Sequence, residues 1–228
     1  MKPAKEVIPV KVKWRSEGMS LSLILAMFIV AGFTWSLASD SIPVHWGITG
    51  QPDRYGGKFE GLLGIPLAAL AIYLLLLFLP RIDPRRVNYD KFSGAYLVLR
   101  TGIVAFMAGI YTVQVMWVRG IAVDMAVVVP LIVGLLLMVI GNYLGKLRST
   151  WFVGIRTPWT LSSEESWLKT HRLGGRFFVV LGLALAIASA FHNAWAFCII
   201  GIVAVILLTF LVIYSYIVYR EERASHPS

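Results

Sequence analysis

Six long apolar segments, separated by shorter polar ones, dominate the sequence. They run over about residues 19–38, 62–79, 94–118, 125–140, 177–190 and 195–219. The first, third and sixth hold at least the roughly 20 residues that a helix needs to cross a bilayer core of about 30 Å. The pattern predicts an all-α, polytopic membrane protein built as a bundle of six transmembrane helices.

The same pattern divides the chain into regions. Residues 1–18 form an N-terminal segment, and residues 19–80 form a region of two helices joined by a turn-rich loop at 39–61. Helices three and four follow in 81–140, a polar segment in 141–176, helices five and six in 177–219, and a tail in 220–228. The first helix ends in small residues, Ser36 and Ala38, as a secretory signal does. Its length favours an anchor that is retained over one that is cleaved after Ala38.

The composition supports a membrane protein, and the distribution of charge predicts its orientation in the membrane. The chain is 58% hydrophobic and 14% charged, and its net charge is +9. Six spans place both termini on one side, and 18 of the 21 Lys and Arg residues then share that side, leaving Arg54, Lys58 and Arg119 on the other. Because Lys and Arg collect in cytoplasmic loops, we expect a multi-pass cell-membrane protein with cytoplasmic termini. This distribution explains the positive charge without a nucleic-acid partner.

Little in the chain points to catalysis or to a cofactor. Cys198 is the single cysteine, so an intrachain disulfide and a thiolate zinc site are excluded. No HExxH, phosphate-binding loop or GxSxG motif occurs. The topology places His45 and Asp53 on the opposite side from His171 and its neighbouring glutamates, so acid, base and metal-binding groups do not converge. We predict no catalytic residue, metal or cofactor, and no enzyme activity.

A few polar and small residues interrupt the spans. An arginine at mid-membrane costs about 2.5–3.5 kcal/mol on the insertion scale, so Arg100 is expected to snorkel to the cytoplasmic face; an inward-facing, functional Arg100 is the alternative. Gln114 is interpreted as a hydrogen-bonding residue between helices. Gly182, Ala186 and Ala190, spaced by four, predict a face for close helix packing.

The loop 39–61 is rich in turn formers, including Gly47, Gly50 and Pro52. One interpretation is an interfacial loop with tight turns. The other is a ligand-contacting loop, in which polar contacts would come from His45, Asp53, Arg54 and Lys58. In either case His45 is more typical of a hydrogen-bonding residue than of a metal ligand.

The polar segment 141–176 holds six Lys or Arg and three Trp residues. A passive loop between two membrane helices needs fewer charged and aromatic side chains. Ser162 and Glu165 have capping-box spacing, which predicts a short amphipathic helix over 163–173 along the cytoplasmic surface. Trp167 and His171 would share one face of it. Gly174-Gly175 would then release the chain into the fifth span.

Two interpretations of this segment stay open. The helix could anchor the segment in lipid. Alternatively, Arg156, Arg172 and the aromatic side chains could form a docking surface for a soluble partner, because Arg and Trp are favoured at interfaces.

Two motifs resemble a known family. Residues 154–162, GIRTPWTLS, followed by Glu164-Glu165, Trp167 and residues 170–172, and preceded by Asn142, are similar to the signature of the SdpI family of bacterial membrane proteins. Thr150 stands where the family pattern has an Asn. The second motif, in the turn-rich loop, consists of Pro43, His45-Trp46, Gly50, Pro52-Asp53, Tyr55-Gly56 and Lys58. It resembles DUF1648, a domain of unknown function that often precedes the SdpI segment, and assigns 19–80 to it.

The resemblance implies an immunity function. Such a protein would protect its cell from a secreted toxic peptide and would hold a cytoplasmic ArsR-type repressor at the membrane. The toxin-facing residues would be His45, Trp46, Gly50, Pro52, Asp53, Tyr55 and Lys58. The cytoplasmic signalling surface would comprise Asn142, Arg156, Thr157, Pro158, Trp159, Thr160, Trp167, His171 and Arg172.

Other functions are compatible with a six-span protein. A small-molecule or peptide transporter is the main alternative, although the spans are poor in the polar groups and broken helices that transport sites use. A membrane scaffold is a further one. The lipid bilayer is a partner in every case, whereas the peptide and the repressor follow only from the resemblance.

Overall fold

The computed structural model describes residues 14–191 and 194–225. Its helices are α1 (Trp14–Trp35), α2 (Gly64–Ile82), α3 (Ser93–Val118), α4 (Met125–Leu144), α5 (Pro158–Ser162), α6 (Glu164–Ser189) and α7 (Ala194–Ser225). The strands are β1 (Ile42–Trp46) and β2 (Pro52–Gly56). A π-helical turn, Phe59–Leu63, precedes α2, and a 3₁₀ helix, Arg86–Phe92, precedes α3. Most of the predicted segment 1–18, and the last three residues of the tail, lie outside the described residues.

The predicted all-α, six-span architecture is confirmed. Among the described residues, six helices are long and apolar enough to cross a membrane, namely α1, α2, α3, α4, α6 and α7. The helix predicted over 163–173 is not a separate element, because residues 164–189 form one continuous helix. The short helix of the polar segment is instead α5.

Glycines bring α4 and α6 into backbone contact. A Cβ atom added to Gly141 would lie 2.5 Å from the carbonyl oxygen of Gly175, and one added to Gly134 would lie 2.6 Å from that of Gly182. Side chains at these positions would force the helices apart. The packing face predicted at Gly182 is therefore confirmed. The break predicted at Gly174-Gly175 is wrong, since both residues lie inside α6 and Gly175 packs on α4.

The turn-rich loop folds into an antiparallel hairpin of β1 and β2. Its turn formers behave as predicted at Gly50, which has a φ of +77°. The hairpin lies across the bundle end at which α3 ends and α4 begins. A Cβ on Gly50 would lie 2.9 Å from the Ala126 nitrogen in the first turn of α4, so only glycine allows this approach.

Two further contacts seat the hairpin on α3. The side-chain amide of Gln114 donates to the Pro43 carbonyl oxygen at 3.2 Å, and the rings of Trp46 and Trp117 meet edge to face with centroids 6.3 Å apart. Gln114 therefore bonds β1, and its prediction as a bond between helices is wrong. The hairpin and the ends of α3 and α4 form one packed unit.

The polar segment lies at the opposite end of the bundle. The chain leaves the hairpin through α2 and returns toward it through α3, and α4 then carries it away again to residue 145. We call these the hairpin end and the basic end. The charge distribution predicts that the basic end is cytoplasmic.

Arg100 lies inside the bundle rather than at its surface. It is 6% exposed, and its guanidinium is ion-paired with Glu17 of α1, which is 3% exposed. The Tyr73 hydroxyl of α2 donates to the other oxygen of Glu17 at 3.1 Å, and Ser20 is bonded to Thr101 at 3.0 Å. The snorkelling prediction is wrong, because a buried carboxylate on a neighbouring helix neutralises the charge. The inward-facing alternative describes the structure.

Candidate functional site

The polar segment begins with an irregular stretch that ends in α5. Thr157 caps α5 by accepting the Thr160 backbone N–H at 3.1 Å, and Thr160 reciprocates by accepting the Thr157 N–H at 2.9 Å. Pro158 occupies the first turn, where its missing N–H costs nothing. This reciprocal pair is a capping box.

The capping box predicted at Ser162 and Glu165 is wrong. Ser162 donates its hydroxyl to the Pro158 carbonyl within α5. Ser163 is the residue that caps α6, accepting the Ser166 N–H at 2.9 Å. Because α5 extends through residue 162, the cap of the next helix shifts by one position.

Trp167 and His171, in the first turns of α6, are fully buried in protein. Their rings stack with centroids 4.0 Å apart, and the indole N–H of Trp167 donates to the Leu147 carbonyl at 3.0 Å. The interpretation as a helix that anchors this face in lipid is therefore wrong for these two residues. They form the centre around which the irregular stretch folds.

His171 fixes the path of the backbone beside it. Its Nε2 atom accepts the Ile155 N–H at 2.8 Å, and its Nδ1 atom bonds the Trp167 carbonyl at 2.7 Å. An imidazole that accepts at one nitrogen and donates at the other is neutral. Gly154 has a φ of +120°, and a Cβ there would lie 2.9 Å from the Trp167 ring, so only glycine fits this position.

The connection between α2 and α3 clasps the same stretch. The buried carboxylate of Asp83 accepts hydrogen bonds from the Arg85 N–H at 2.7 Å, the Tyr89 hydroxyl at 3.1 Å and the Trp151 N–H at 3.0 Å. The Arg85 guanidinium donates to the hydroxyl of Ser149. We call residues 83–89 the clasp.

Two more bonds extend the clasp across the polar segment. The Arg85 guanidinium also donates to the Leu161 carbonyl at 2.7 Å, and Asn88 donates to the Ser149 carbonyl at 2.8 Å. Backbone groups between residues 149 and 161 are thus satisfied by side chains from the clasp. Sequence reasoning missed this role of Asp83 and Arg85, because their partners lie more than 60 residues away.

α7 holds the other side of the segment. The hydroxyls of Thr157 and Ser215 are 2.9 Å apart, and Ser166 donates to the Ser215 carbonyl at 2.8 Å. Trp159 packs on Tyr216 with ring centroids 5.1 Å apart. The polar segment is therefore fixed between the clasp and the last helix.

The predicted signalling residues separate by burial. Thr157, Thr160, Trp167 and His171 are buried, Trp159 is half-buried, and Asn142, Arg156, Pro158 and Arg172 are exposed. The buried side chains cannot touch a partner in this conformation, whereas the exposed ones and part of Trp159 can. Two exposed aromatic residues that were not predicted, Trp151 and Phe152, lie on the same surface and are 46% and 41% exposed. The Trp151 carbonyl accepts a hydrogen bond from the Arg156 guanidinium at 2.9 Å.

At the hairpin end the predicted residues lie on the two strands, except Gly50 in the turn and Lys58 just after β2. His45 Nδ1 and Asp53 Oδ1 are 2.5 Å apart on facing strands, which confirms His45 as a hydrogen-bonding residue. Arg54 pairs with Glu60 at 2.7 Å, and Lys58 pairs with Asp40 at 3.4 Å. Tyr55 is exposed, whereas Trp46 is half-buried against Trp117. Within residues 14–191 and 194–225, no group of three or more His, Cys, Asp or Glu side chains could hold a metal ion.

The fold and these two ends define a polytopic helical membrane protein whose polar chemistry lies at opposite ends of its bundle. Comparison with known proteins shows what the chain is similar to. The model described as the SdpI/YfhL protein family matches residues 146–215, and the one described as a domain of unknown function (DUF1648) matches residues 22–70. The chain is therefore similar to the SdpI family over the first of these ranges and to DUF1648 over the second, as its motifs predict.

A curated relative matches almost from end to end. The chain is 24% identical over 208 residues, which are 91% of this chain and 97% of the relative, to "Immunity protein SdpI" of Bacillus subtilis (strain 168). No solved structure matches the chain. Residues 71–145, which include the clasp, lie outside both family segments.

Proposed function

We propose that this protein is an SdpI-like immunity protein that protects the cell that makes it from a secreted toxic peptide. The observation that carries the proposal is the match to the immunity protein, because it includes nearly the whole length of both chains. Six helices among the described residues are long and apolar enough to hold such a protein in a membrane. The proposal assigns no catalytic role to any residue.

The hairpin is the proposed site of contact with the peptide. It presents exposed polar and aromatic side chains, among them His45, Asp53 and Tyr55. It also contacts the ends of α3 and α4 through Gln114 and Gly50. A peptide that binds one arrangement of these elements better than another would shift the population toward it.

The exposed side chains of the polar segment are the proposed docking surface for an ArsR-type repressor. Arg156 and Arg172 supply positive charge, and Trp151 and Phe152 supply exposed aromatic surface. These are residue types that anchor protein interfaces. The clasp joins this segment to α2 and α3 and offers a route by which a change at the hairpin could reach it.

Two readouts in one strain test the proposal. The protein is expressed in a strain sensitive to a secreted toxic peptide, and survival is scored alongside the membrane-bound fraction of an ArsR-type repressor. The wild type should raise survival. Arg156→Ala and Trp159→Ala should abolish repressor recruitment and leave survival unchanged.

The control is Arg81→Ala, an exposed arginine at the end of α2, which should change neither readout. Membrane abundance of each variant is measured by immunoblot. Loss of survival and recruitment together, at normal abundance, would argue against two separate surfaces. No rise in survival with the wild type would overturn the immunity function for that peptide.

Transport is the second candidate, because of the ion pair between Glu17 and Arg100. Charged side chains inside a membrane bundle often mark a pathway for ions or substrates. A flux assay in liposomes distinguishes the two functions. Flux that depends on Glu17 and Arg100 would favour transport, whereas immunity without flux favours the first proposal.

A further inference from the structure

A narrow cavity of about 270 Å³ opens between α1 and α3 toward the hairpin end. Leu23, Met27 and Val30 line it from α1, and Ala108 and Met116 line it from α3. Its walls are mostly apolar, with Tyr111 and Thr112 as the polar members besides the rim. Val30 is 37% exposed, so the cavity opens on the surface of the bundle that faces the membrane. We call it the α1–α3 slot.

Arg119 stands at the rim of the slot. It follows the last residue of α3, is exposed, and makes no ion pair among the described residues. The other two basic residues near this end, Arg54 and Lys58, are paired with Glu60 and Asp40. Arg119 therefore offers an uncompensated positive charge at the mouth of an apolar slot.

The length of the slot matches one leaflet. Ala108 on α3 and Arg119, which caps that helix, are eleven residues apart, which is roughly 16 Å at about 1.5 Å per residue. Half of a hydrocarbon core of about 30 Å is about 15 Å. A site with a cation at the headgroup level and apolar walls running to mid-membrane is complementary to a phospholipid.

We propose that the slot binds one acyl chain of an anionic phospholipid, with the lipid phosphate on Arg119. The planar guanidinium can donate two hydrogen bonds to phosphate oxygens at once. The acyl chain fills the apolar space that the helices leave open. A net negative headgroup is favoured because Arg119, at the rim, has no carboxylate partner within the part of the chain that the structure describes. This proposal depends neither on the immunity function nor on the direction in which the protein faces.

Native mass spectrometry of the full-length protein tests it. The protein is reconstituted in an equal mixture of phosphatidylglycerol and phosphatidylethanolamine, extracted in mild detergent, and its retained lipids are counted. We expect one phosphatidylglycerol per chain. A basic residue near an anionic lipid is worth about 1 kcal/mol, so we expect the preference over phosphatidylethanolamine to be roughly fivefold.

Three variants separate the parts of the proposal. Arg119→Gln should abolish the preference for phosphatidylglycerol, and Ala108→Phe should fill the slot and prevent retention of either lipid. Thr112→Phe also narrows the slot from an exposed position and serves if Ala108→Phe fails to fold. The matched control is Arg81→Gln, an exposed arginine at the other end of the bundle, which should retain phosphatidylglycerol as the wild type does.

Several outcomes would overturn the proposal. They are loss of all lipid from the wild type, equal retention of the two lipids, and unchanged preference in Arg119→Gln. Displacement of the lipid by a second copy of the chain, visible as a dimer that Ala108→Phe disrupts, would assign the slot to self-association instead.

Discussion

The carboxylate of Asp83 accepts the backbone N–H of Trp151 at 3.0 Å, although the two residues are 68 positions apart. The bond joins the end of α2 to the irregular stretch after α4. With the bonds from Arg85 and Asn88, it gives this stretch a defined shape without regular secondary structure. The polar segment is therefore part of the folded core at the basic end.

Asp83→Ala should loosen the polar segment. It removes the acceptor for three donors, and an unsatisfied buried donor costs about 1–3 kcal/mol. Trypsin should then cleave after Arg148 or Arg156 several times faster in detergent-solubilised protein. Asp90→Ala, an exposed carboxylate on the same connection, should leave the cleavage rate unchanged. Equal rates for the wild type and Asp83→Ala would show that the clasp does not hold the segment.

Gly154→Ala should destabilise the protein. Its φ of +120° is unfavourable for a residue with a Cβ, at about 1–3 kcal/mol, and the methyl group would meet the Trp167 ring. The measurement is the midpoint of thermal unfolding in detergent. Gly201→Ala is the control, because a Cβ at Gly201 has no neighbour within 4 Å, and it should unfold at or slightly above the wild-type midpoint.

Replacing Arg100 by Leu should cost about 3–5 kcal/mol, because it leaves the buried Glu17 carboxylate without its partner. Replacing both residues by Leu should cost less than Arg100→Leu alone. The wild type, Arg100→Leu, Glu17→Leu and the double variant form a double-mutant cycle, read as the fraction folded after heating in detergent. Additive losses would mean that the two charges do not stabilise each other.

Cysteine labelling should place the hairpin and the polar segment in different compartments. Cys198 is exposed, so it is first replaced by Ser. Single cysteines are then introduced at Tyr55 and Phe152, which are 54% and 41% exposed. An impermeant maleimide added to whole cells should label only Tyr55→Cys. Labelling of both positions from outside would contradict the charge-based orientation.

Hydrophobicity alone predicts the membrane spans, because each span is a continuous run of apolar residues. It fails at the start of α6, where residues 164–176 are too polar to read as membrane helix, although one face of this stretch, including Trp167 and His171, is buried against the rest of the chain. It also fails for Arg100, whose neutralising partner Glu17 lies on another helix. Local patterns do not reveal contacts of this range.

The ends of the bundle were predictable only in part. Turn formers located the bend at Gly50. The cap of α6 was missed because Ser162 and Ser163 are adjacent and only the three-dimensional path chooses between them. The burial of Trp167 and His171 depends on the clasp and on α7, which are distant in sequence.

The clasp also limits how this architecture can be exchanged between relatives. Residues 83–89 lie outside the ranges 22–70 and 146–215 that match the two families, yet they complete the hydrogen bonding of the second range. A chimera that transplants 146–215 alone would separate Trp151 and Leu161 from Asp83 and Arg85. The smallest portable unit of the basic end therefore includes the connection between α2 and α3, and the boundary between the families is not a boundary between folding units.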